Sequence, residues 1–347
     1  MNSIKARFLS VLFILSMLAT TAPFALAFDE GMFMPDQIAK LPLKKLGFKI
    51  TASDIYNPNG VGLSDAIVRL SIGCSAEFVS PEGLILTNHH CGLSALVSAS
   101  TPEKDLVETG FDSKGRSGEI RAMEGTEPYT VQMTERSDNV TDRVLAGTKD
   151  LTAEARDAAI EKNIEDITKA EQAKAPKGAA IRIVPLNNGY FYYLIQTSEI
   201  KDVRVVYAPQ RDIGVFGGDP DNFEWTRHTG DFTFLRAYVA PDGSPADYSK
   251  DNVPYKPKKF LTMSIAGLKE NDPVFVMGFP GGTTRYRESQ SISYARDANF
   301  PFLEKWLIAM SDSLKKIGAT DEEKRIKFQD RVANYDNSRK VYGGGWL

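Results

Sequence analysis

Histidine is the side chain that would carry acid–base chemistry in this chain, and the sequence contains three: His89, His90 and His228. Imidazole titrates nearest to neutral pH among the ordinary side chains, which makes it the usual general base of an enzyme. His89 and His90 are adjacent, whereas His228 lies in the stretch Arg-His-Thr-Gly-Asp-Phe. A histidine taken alone is more often structural or merely exposed than catalytic, so the surrounding sequence has to decide among the three.

Two loops rich in glycine and acidic residues are candidates for ion binding. Asp219, Asp221 and Asn222 suggest a calcium loop, but Phe223 stands at a ligand position and the required glycine is missing. The glycines within 278–282 suggest a phosphate cradle, but no Gly-Lys-Ser/Thr sequence follows them. We therefore predict no metal site and no cofactor.

The composition argues against a nucleic-acid partner. The 347 residues carry a formal net charge of −3, and no block of like charges stands out. A protein that binds a phosphate backbone needs a basic face. The composition indicates instead a globular protein with a mildly acidic, solvated surface, long enough for one large domain or two smaller ones.

Residues 1–27 have the pattern of a secretory signal peptide. Two basic residues precede a short apolar run (8–18), and a motif of small residues ends at Ala27. The run is short for a membrane span, and an uncleaved anchor is the alternative. We expect export, a mature protein that begins near Phe28, and no membrane association after cleavage.

The two cysteines, Cys74 and Cys91, have an informative position, because Cys91 directly follows His90. An even number of cysteines in an exported protein favours a disulfide over a metal site. Closing a loop of this length would stabilise the fold by about 3 kcal/mol. The alternative is a pair of buried free thiols.

A predicted β-hairpin must position His89 and His90. Residues 66–80 and 84–91 are rich in β-branched and apolar side chains, and a Pro-Glu-Gly turn separates them. The adjacent histidines lie at the end of the second strand, and each strand carries one cysteine.

The rest of the chain alternates between helical and strand-like patterns. Helices are predicted from 101, over 152–171, over 302–317 with Gly318 as the stop, and from the capping box at 320–323. Strands are predicted over 179–186, 190–196, 202–209, 231–241 and 273–280. Short strands with turns between them favour a barrel or a sandwich.

The segment Thr-Asn-His-His-Cys, residues 87–91, resembles the Thr-Ala-Ala-His-Cys segment of chymotrypsin-like peptidases. In those enzymes the histidine before the cysteine is the general base, and the cysteine pairs across a short hairpin. The resemblance singles out His90 and implies a disulfide between Cys74 and Cys91 beside it. A covalent link at this point would fix the backbone of the base.

A histidine base needs a carboxylate that holds its tautomer. In chymotrypsin-like barrels that aspartate begins a strand with alternating apolar residues and a basic residue. Asp231, followed by Phe-Thr-Phe-Leu-Arg, is similar to that pattern. Asp219 and Asp221 are the alternatives, but no strand follows them directly.

Three longer segments closely resemble one family, the bacterial dipeptidyl-peptidases 7 and 11 and dipeptidyl aminopeptidase BII (serine peptidase family 46). They are SAEFVSPEGLILTNHHCG, FGGDPDNFEWTRHTGDFTFLR and FVMGFPGGTTRY. The resemblance runs from about Glu30 to the last residue. These motifs are long and unusual, so they indicate membership rather than a chance match.

The resemblance implies roles for four residues. His90 takes the place of the family's catalytic histidine and Asp231 that of its aspartate. Asn222 takes the place of the asparagine that binds the free α-amino group of the substrate. Phe223 replaces a tryptophan, which keeps an apolar wall but removes an indole donor. The resemblance also implies a periplasmic location and a possible homodimer.

The nucleophile of the resembled family is missing from this sequence. Family members are about twice as long, and their serine lies far downstream in a GNSGSP-like segment that does not occur here. The nearest imitation is Gly115-Arg116-Ser117-Gly118, which lies in a charged, turn-like stretch and is predicted as a surface loop. We expect an N-terminal fragment that is inactive by itself.

The expected fold is mainly β with α insertions. Residues 28–285 should form a complete chymotrypsin-like first β-barrel, with a helical insertion around 100–175 and only the first strand of a second barrel. Residues 286–347 should begin an α-helical cap domain.

The resemblance implies a serine-type dipeptidyl-peptidase, which releases dipeptides from peptides with a free N-terminus. Two alternatives stay open. One is an endopeptidase of the same fold, which would not require a free amine. The other is a non-catalytic peptide-binding protein derived from this fold.

Overall fold

The computed structural model of the chain describes residues 32–282 and 287–344. The predicted signal peptide and the predicted boundary between 285 and 286 lie outside the described residues. Within these ranges, no helix combines the length and the apolar character that crossing a lipid bilayer requires.

The strands in these ranges are β1 (Ile67–Leu70), β2 (Ser75–Phe78), β3 (Leu84–Thr87), β4 (Phe111–Asp112), β5 (Ile120–Arg121), β6 (Met123–Glu124), β7 (Glu127–Pro128), β8 (Val131–Asn139), β9 (Ala180–Leu186), β10 (Phe191–Ile200), β11 (Asp202–Ala208), β12 (Thr233–Val239) and β13 (Val253–Pro254). The α-helices are α1 (Ala52–Ile55), α2 (His89–Ala99), α3 (Leu106–Thr109), α4 (Thr141–Val144), α5 (Ala153–Gln172), α6 (Arg211–Gly214), α7 (Gly218–Asp221), α8 (Ser289–Tyr294), α9 (Phe300–Gly318), α10 (Glu322–Lys327) and α11 (Gln329–Gly344). Short 3-10 helices cover Pro35–Lys40, Leu63–Ala66 and Arg116–Gly118, and a π-helical turn covers Ala295–Asn299.

One antiparallel sheet contains eleven of these strands. Its order is β4-β11-β12-β3-β2-β1-β8-β10-β9, with β13 on β12 and β5 on β11. Only Lys201 separates β10 from β11 in the chain. Because β10 pairs with β8 and β11 pairs with β12, this bent ribbon connects two distant parts of the sheet.

The predicted hairpin is present as β2 and β3, but its first strand, predicted over 66–80, is divided into β1 and β2, which pair with each other across a turn. Phe78 pairs with Ile85 across the Pro-Glu-Gly turn, and both side chains are fully buried. Gly83 ends the turn with φ of +67°, a left-handed conformation that glycine adopts without strain. The second strand is shorter than predicted, because it stops at Thr87 and α2 begins at His89.

The main core lies beneath this hairpin and its neighbours. Its fully buried side chains include Val68, Leu70, Ala76, Phe78, Ile85, Leu96 and Leu235. Burying one large aliphatic or aromatic side chain stabilises a fold by about 1.5–3 kcal/mol. The core therefore fixes the ends of β3 and β12, from which the candidate catalytic residues extend.

The segment 100–175, predicted as a helical insertion, contains strand as well as helix. The helix predicted over 152–171 is confirmed as α5, and Thr152 caps it by accepting the Ala155 N–H. However, β8 pairs with β1 and β10 and so belongs to the main sheet. Its polar sequence lacks the apolar alternation that marks a strand, since only Val131 and Ser137 within it are buried.

Residues 273–280, predicted as the first strand of a second barrel, pair with no strand in the described ranges. Val276 is 97% exposed. The segment is held beside β2, where the Phe279 N–H donates to Ser75 Oγ at 2.6 Å. A strand is defined by backbone hydrogen bonds to a neighbour, and the described part of the chain supplies no neighbour here.

The region predicted as helical after 286 is present as α8 to α11. α9 ends at Gly318, the predicted stop, and Asp321 caps α10 by accepting the Lys324 N–H at 3.1 Å. α9 packs antiparallel on α11, where the rings of Trp306 and Tyr335 meet with centroids 6.3 Å apart.

Candidate active site

Strand register brings His90 and Asp231 to one edge of the sheet. β3 and β12 are neighbours, and Thr87 is paired with Thr233 at their ends. His90 follows Thr87 by three residues, as the second residue of α2, and Asp231 precedes Thr233 by two. The turn from strand to helix therefore points the imidazole toward the residue that leads into β12.

His90 and Asp231 form a hydrogen-bonded pair. The distance between Nδ1 and Oδ2 is 3.0 Å, and the backbone N–H of His90 donates to Oδ1 at 3.1 Å. The imidazole side chain is 66% exposed, whereas that of Asp231 is 23% exposed. The open side of the ring carries Nε2, the atom that would exchange a proton with a nucleophile.

The surroundings of Asp231 keep its carboxylate ionised. Burial acts to raise its pKa, but the hydrogen bond and charge of His90, together with the backbone N–H groups of His90 and His89, outweigh it. The pKa of Asp231 is therefore lowered below its ordinary value. An ionised carboxylate is the form that stabilises an imidazolium.

The structure places the two adjacent histidines in different surroundings. The His89 side chain is 1% exposed, and its ring lies against Gly214, where an added Cβ would come within 2.5 Å of the ring. Burial, the dominant cause, lowers the pKa of His89, so the ring is neutral. His228 is exposed on the loop that precedes Asp231.

A disulfide between Cys74 and Cys91 lies beside the pair, with Cα atoms 6.2 Å apart. It ties the residue that follows His90 to the start of β2. In the described ranges these two cysteines and His90 also form a cluster with metal-ligand spacing. Because both sulfurs are bonded to each other, they cannot serve as thiolate ligands, and the cluster does not fit a metal site.

Asn222 lies in a loop whose two ends meet next to the His90–Asp231 pair. The Gly230 N–H donates to the Ile213 carbonyl at 2.9 Å, which closes the loop directly before Asp231. The Asn222 Nδ2 donates to Asn337 Oδ1 at 2.9 Å, and Arg227 Nη1 donates to Asn222 Oδ1 at 2.9 Å. These two bonds fix the orientation of the Asn222 amide.

Phe223 follows Asn222 with its ring 56% exposed. Its φ is +62°, a left-handed conformation that is uncommon for an aromatic residue. Such backbone conformations persist only where the surroundings hold them, and they concentrate at functional sites. The exposed ring is available as an apolar wall beside the Asn222 amide.

Helix α11 holds this loop from the other side. The Nζ of Lys340 donates to the carbonyls of Asp219 and Pro220, at 2.7 and 2.6 Å. Arg339 donates to the Asp219 carboxylate at 2.5 Å. Asp219, one of the two alternatives to Asp231 as the catalytic aspartate, therefore binds α11 instead.

Sequence reasoning missed three polar residues that contact the predicted site: Asn88, Arg227 and Asn337. Asn88 and Arg227 stand inside the quoted motifs, so their positions were visible, but no spacing rule assigns them a partner. Asn337 is 115 residues from Asn222 in the chain. Only the packing of α11 brings it there, and no local sequence signal carries that information.

Ser117, the nearest imitation of a nucleophile, is exposed in the 3-10 helix Arg116–Gly118. That helix follows a turn in which Gly115 has φ of +146°. The prediction of a surface turn is confirmed. The roles of His90, Asp231, Asn222 and Phe223 stay predictions at this point.

Comparison with known proteins identifies relatives of one kind. The profile of the family described as Peptidase S46 matches residues 28–346. The chain is 37% identical over 320 residues to dipeptidyl-peptidase 7 of Capnocytophaga gingivalis, covering 91% of this chain and 44% of that protein. It is 38% identical over 329 residues to the Asp/Glu-specific dipeptidyl-peptidase of Porphyromonas gingivalis, covering 92% and 45%.

Among solved structures, the chain is similar to DPP11 of Porphyromonas endodontalis in complex with the dipeptide Arg-Glu. The TM-score is 0.81 at 31% sequence identity, and the match covers 92% of this chain and 46% of that one. The chain thus spans less than half the length of the relatives it matches.

Proposed function

The chain belongs to the Peptidase S46 family, and on that basis we propose that it is the N-terminal portion of a serine-type dipeptidyl-peptidase. His90 is the general base and Asp231 the carboxylate that orients it. The observation that carries this proposal is the 3.0 Å contact between His90 Nδ1 and Asp231 Oδ2. Because the carboxylate only accepts, the proton of the neutral imidazole stands on Nδ1, and the lone pair on Nε2 is free.

The geometry suits acyl transfer with a serine that lies in the remaining length of the relatives. Nε2 takes the proton of the serine hydroxyl while the serine oxygen attacks the peptide carbonyl. The same proton then passes to the leaving amine as the C–N bond breaks, which leaves an acyl-enzyme. Water, deprotonated in turn by Nε2, hydrolyses that ester and restores the serine. Asp231 stays ionised throughout and stabilises the imidazolium.

Asn222 and Asn337 form the binding site for the amino terminus of the substrate. Their carbonyl oxygens each keep a lone pair after the bonds described above, and an ammonium group offers three donors. Phe223 forms the apolar wall beside them. A fixed distance from amine to nucleophile is what restricts the product to a dipeptide, and the solved relative in complex with Arg-Glu supports a peptide substrate.

The finer features of the fold enter the proposal as well. Strands β1-β2-β3-β12, continued through the bent ribbon β11–β10 to β8 and back to β1, would close a chymotrypsin-like first barrel; the pairings of β8 with both β10 and β1 support this path. Export to the periplasm, with the disulfide formed there, and a homodimer are further parts of the proposal, and they rest on the sequence resemblance.

The test uses this chain joined to the remaining length of the dipeptidyl-peptidase 7 to which it is 37% identical. The chimera should release dipeptides from free peptides and leave N-acetylated peptides intact. His90→Ala and Asp231→Asn should each lower kcat by about 10⁴-fold, whereas His228→Ala, a control on an exposed histidine, should leave it unchanged. The 347-residue chain alone should not react with a fluorophosphonate probe.

Other outcomes would replace the proposal. Cleavage of N-acetylated peptides at internal bonds would identify an endopeptidase of this fold. Peptide binding without turnover in the folded chimera would identify a binding protein. Stoichiometric labelling of a serine in the chain alone would show that the nucleophile has been misplaced.

A further inference from the structure

The carboxylate of Asp231 accepts side-chain hydrogen bonds from two residues, His90 and Asn88. Oδ1 accepts the backbone N–H of His90 at 3.1 Å. Oδ2 accepts both His90 Nδ1, at 3.0 Å, and Asn88 Nδ2, at 3.1 Å. The oxygen that faces the imidazole is therefore the oxygen that Asn88 binds.

Asn88 stands at a helix cap position without acting as a cap. It is the N-cap residue of α2, yet its side chain makes no cap hydrogen bond, although asparagine is among the best N-cap residues. Asp231 takes that role, since its Oδ1 accepts an N–H of the first helical turn. The Asn88 amide is directed instead at two acceptors of Asp231, Oδ2 and the backbone carbonyl, which is 3.4 Å away.

Asn88 offers a hydrogen-bond donor to Asp231 at all times, whereas His90 offers one from Nδ1 only in some of its tautomeric and protonation states. Because both atoms it contacts on Asp231 are acceptors, Asn88 must present its NH₂ to them. His90 Nδ1 donates only in the imidazolium and in one of the two neutral tautomers. In the other tautomer a lone pair on Nδ1 would face Oδ2. Asn88 can thus hold Oδ2 in place whatever the state of the ring.

We propose that Asn88 is a positioning residue, which holds Oδ2 of Asp231 toward Nδ1 of His90 and so favours the neutral tautomer with its proton on Nδ1. This inference rests on the roles proposed for His90 and Asp231. It assigns a task to the asparagine of the Thr-Asn-His-His-Cys segment that no resemblance supplied. That tautomer is the one that leaves Nε2 free to accept a proton.

The electrostatic setting agrees with such a role. Besides Asn88, the groups that act on the Asp231 carboxylate are His90 and His89, both on α2. Burial acts to raise the pKa of Asp231, but the hydrogen bonds from α2 outweigh it, so the group is an anion that accepts from Asn88. A hydrogen bond to a charged group is roughly twice as strong as a neutral one.

The test measures the tautomer of His90 in the 347-residue chain, so it needs no nucleophile. The chain is labelled with ¹⁵N-histidine, and ring nitrogen shifts are read at about pH 9, where histidine is neutral. Asn88→Ser keeps a good N-cap residue but cannot reach Oδ2. It should raise the ratio of the Nε2–H to the Nδ1–H form of His90 by about fivefold. His228 gives an internal control signal that should not change.

A double-mutant cycle decides whether Asn88 acts through Asp231. In an Asp231→Asn background, Asn88→Ser should leave the tautomer ratio unchanged. The inference is overturned if Asn88→Ser alone has no effect, or if its effect is the same in both backgrounds. Asn88→Ala is measured alongside, so that a folding defect peculiar to serine does not decide the result. If Asp231→Asn alone leaves the ratio unchanged, the pair itself does not operate, and the proposed function fails rather than only the role of Asn88.

Discussion

Adjacent positions at the start of one helix place two imidazoles in opposite surroundings. His90 lies on the open side of α2, and its Nδ1 contacts the Asp231 carboxylate. His89 points inward, where its ring packs on Gly214 and a charge would have no water around it. Residue type alone therefore says little here, and the direction of each side chain on the helix decides its chemistry.

This burial makes a prediction about pH. The pKa of His89 is lowered in the folded chain, so the unfolded state takes up a proton first as the pH falls. Its contribution to stability is full above the ordinary histidine range, about pH 6.5, and is lost as the pH falls toward the lowered value. His89→Gln should reduce the slope of the free energy of unfolding against pH, by up to about 1.4 kcal/mol per pH unit between roughly pH 7 and 5.

The measurement is urea unfolding at a series of pH values. His228→Gln is the matched control, because it makes the same substitution at an exposed histidine, and its slope should equal that of the unaltered chain. Carboxylates such as Glu77, whose pKa burial raises, also contribute toward the acidic end of this range, but equally in all three proteins. An unaltered slope in His89→Gln would mean that His89 takes up its proton over the same pH range in the folded and the unfolded chain, so that folding does not lower its pKa.

At the scale of elements, the parts that the sequence predicted are those with a local signature. The hairpin β2–β3 has a Pro-Glu-Gly turn between apolar runs, and α5 has a capping threonine and isoleucines at helical spacing. β8 has neither, because backbone pairing with β1 and β10 holds it in the sheet while most of its side chains are not buried. Pairing with strands that are distant in the chain leaves no periodic pattern in the segment itself.

The segment 273–280 shows the reverse case. Its apolar and β-branched residues have the propensity of a strand, but propensity does not supply a partner. The predicted site divides in the same way. Asp231 and His90 could be chosen from motifs, whereas Asn337 could not, because its proximity to Asn222 depends on how α11 docks.

The docking of α11 on the Asn222 loop leads to a prediction for Lys340. Its ammonium donates to two backbone carbonyls at the end of α7, at 2.7 and 2.6 Å. Lys340→Met keeps most of the apolar stem and removes both donors. Hydrogen bonds from charged groups contribute about 1.5–3 kcal/mol each, so amides of 217–226 should exchange with deuterium roughly tenfold faster, as measured by mass spectrometry.

A matched lysine separates this effect from a general loss of charge. Lys316→Met changes an exposed residue on α9, in the same group of helices, and should leave exchange in 217–226 unchanged. Equal acceleration in the two variants would point to loosening of the whole helical region. No acceleration in Lys340→Met would mean that the loop holds its shape without the two hydrogen bonds from Lys340.

Over the surface as a whole, residues 263–268 and 274–276 expose several apolar side chains, here called the apolar strip, on either side of the polar residues 269–272. Side chains in this strip are far more exposed than is usual for their type, with Ile265 and Val276 each 97% exposed. Scattered apolar residues are normal on protein surfaces, but a contiguous group marks a contact surface. In the relatives, more than half of the length lies outside the part that this chain matches, which offers a candidate cover for the strip.

The strip predicts how the 347-residue chain behaves in solution. Exposed apolar side chains on extended, unpaired backbone favour edge-to-edge association, so the chain should bind a hydrophobic dye and self-associate with rising concentration. The double variant Ile265→Thr with Val276→Thr should lower both signals several-fold in dye fluorescence and light scattering. Because these side chains bury almost nothing, its free energy of unfolding should stay within about 0.5 kcal/mol. Val61→Thr, which alters an exposed valine outside the strip, should change neither signal. Dye binding that persists in the double variant would place the apolar contact elsewhere. Loss of dye binding in the dipeptidyl-peptidase 7 chimera would identify the remaining length of the relative as the part that covers the strip.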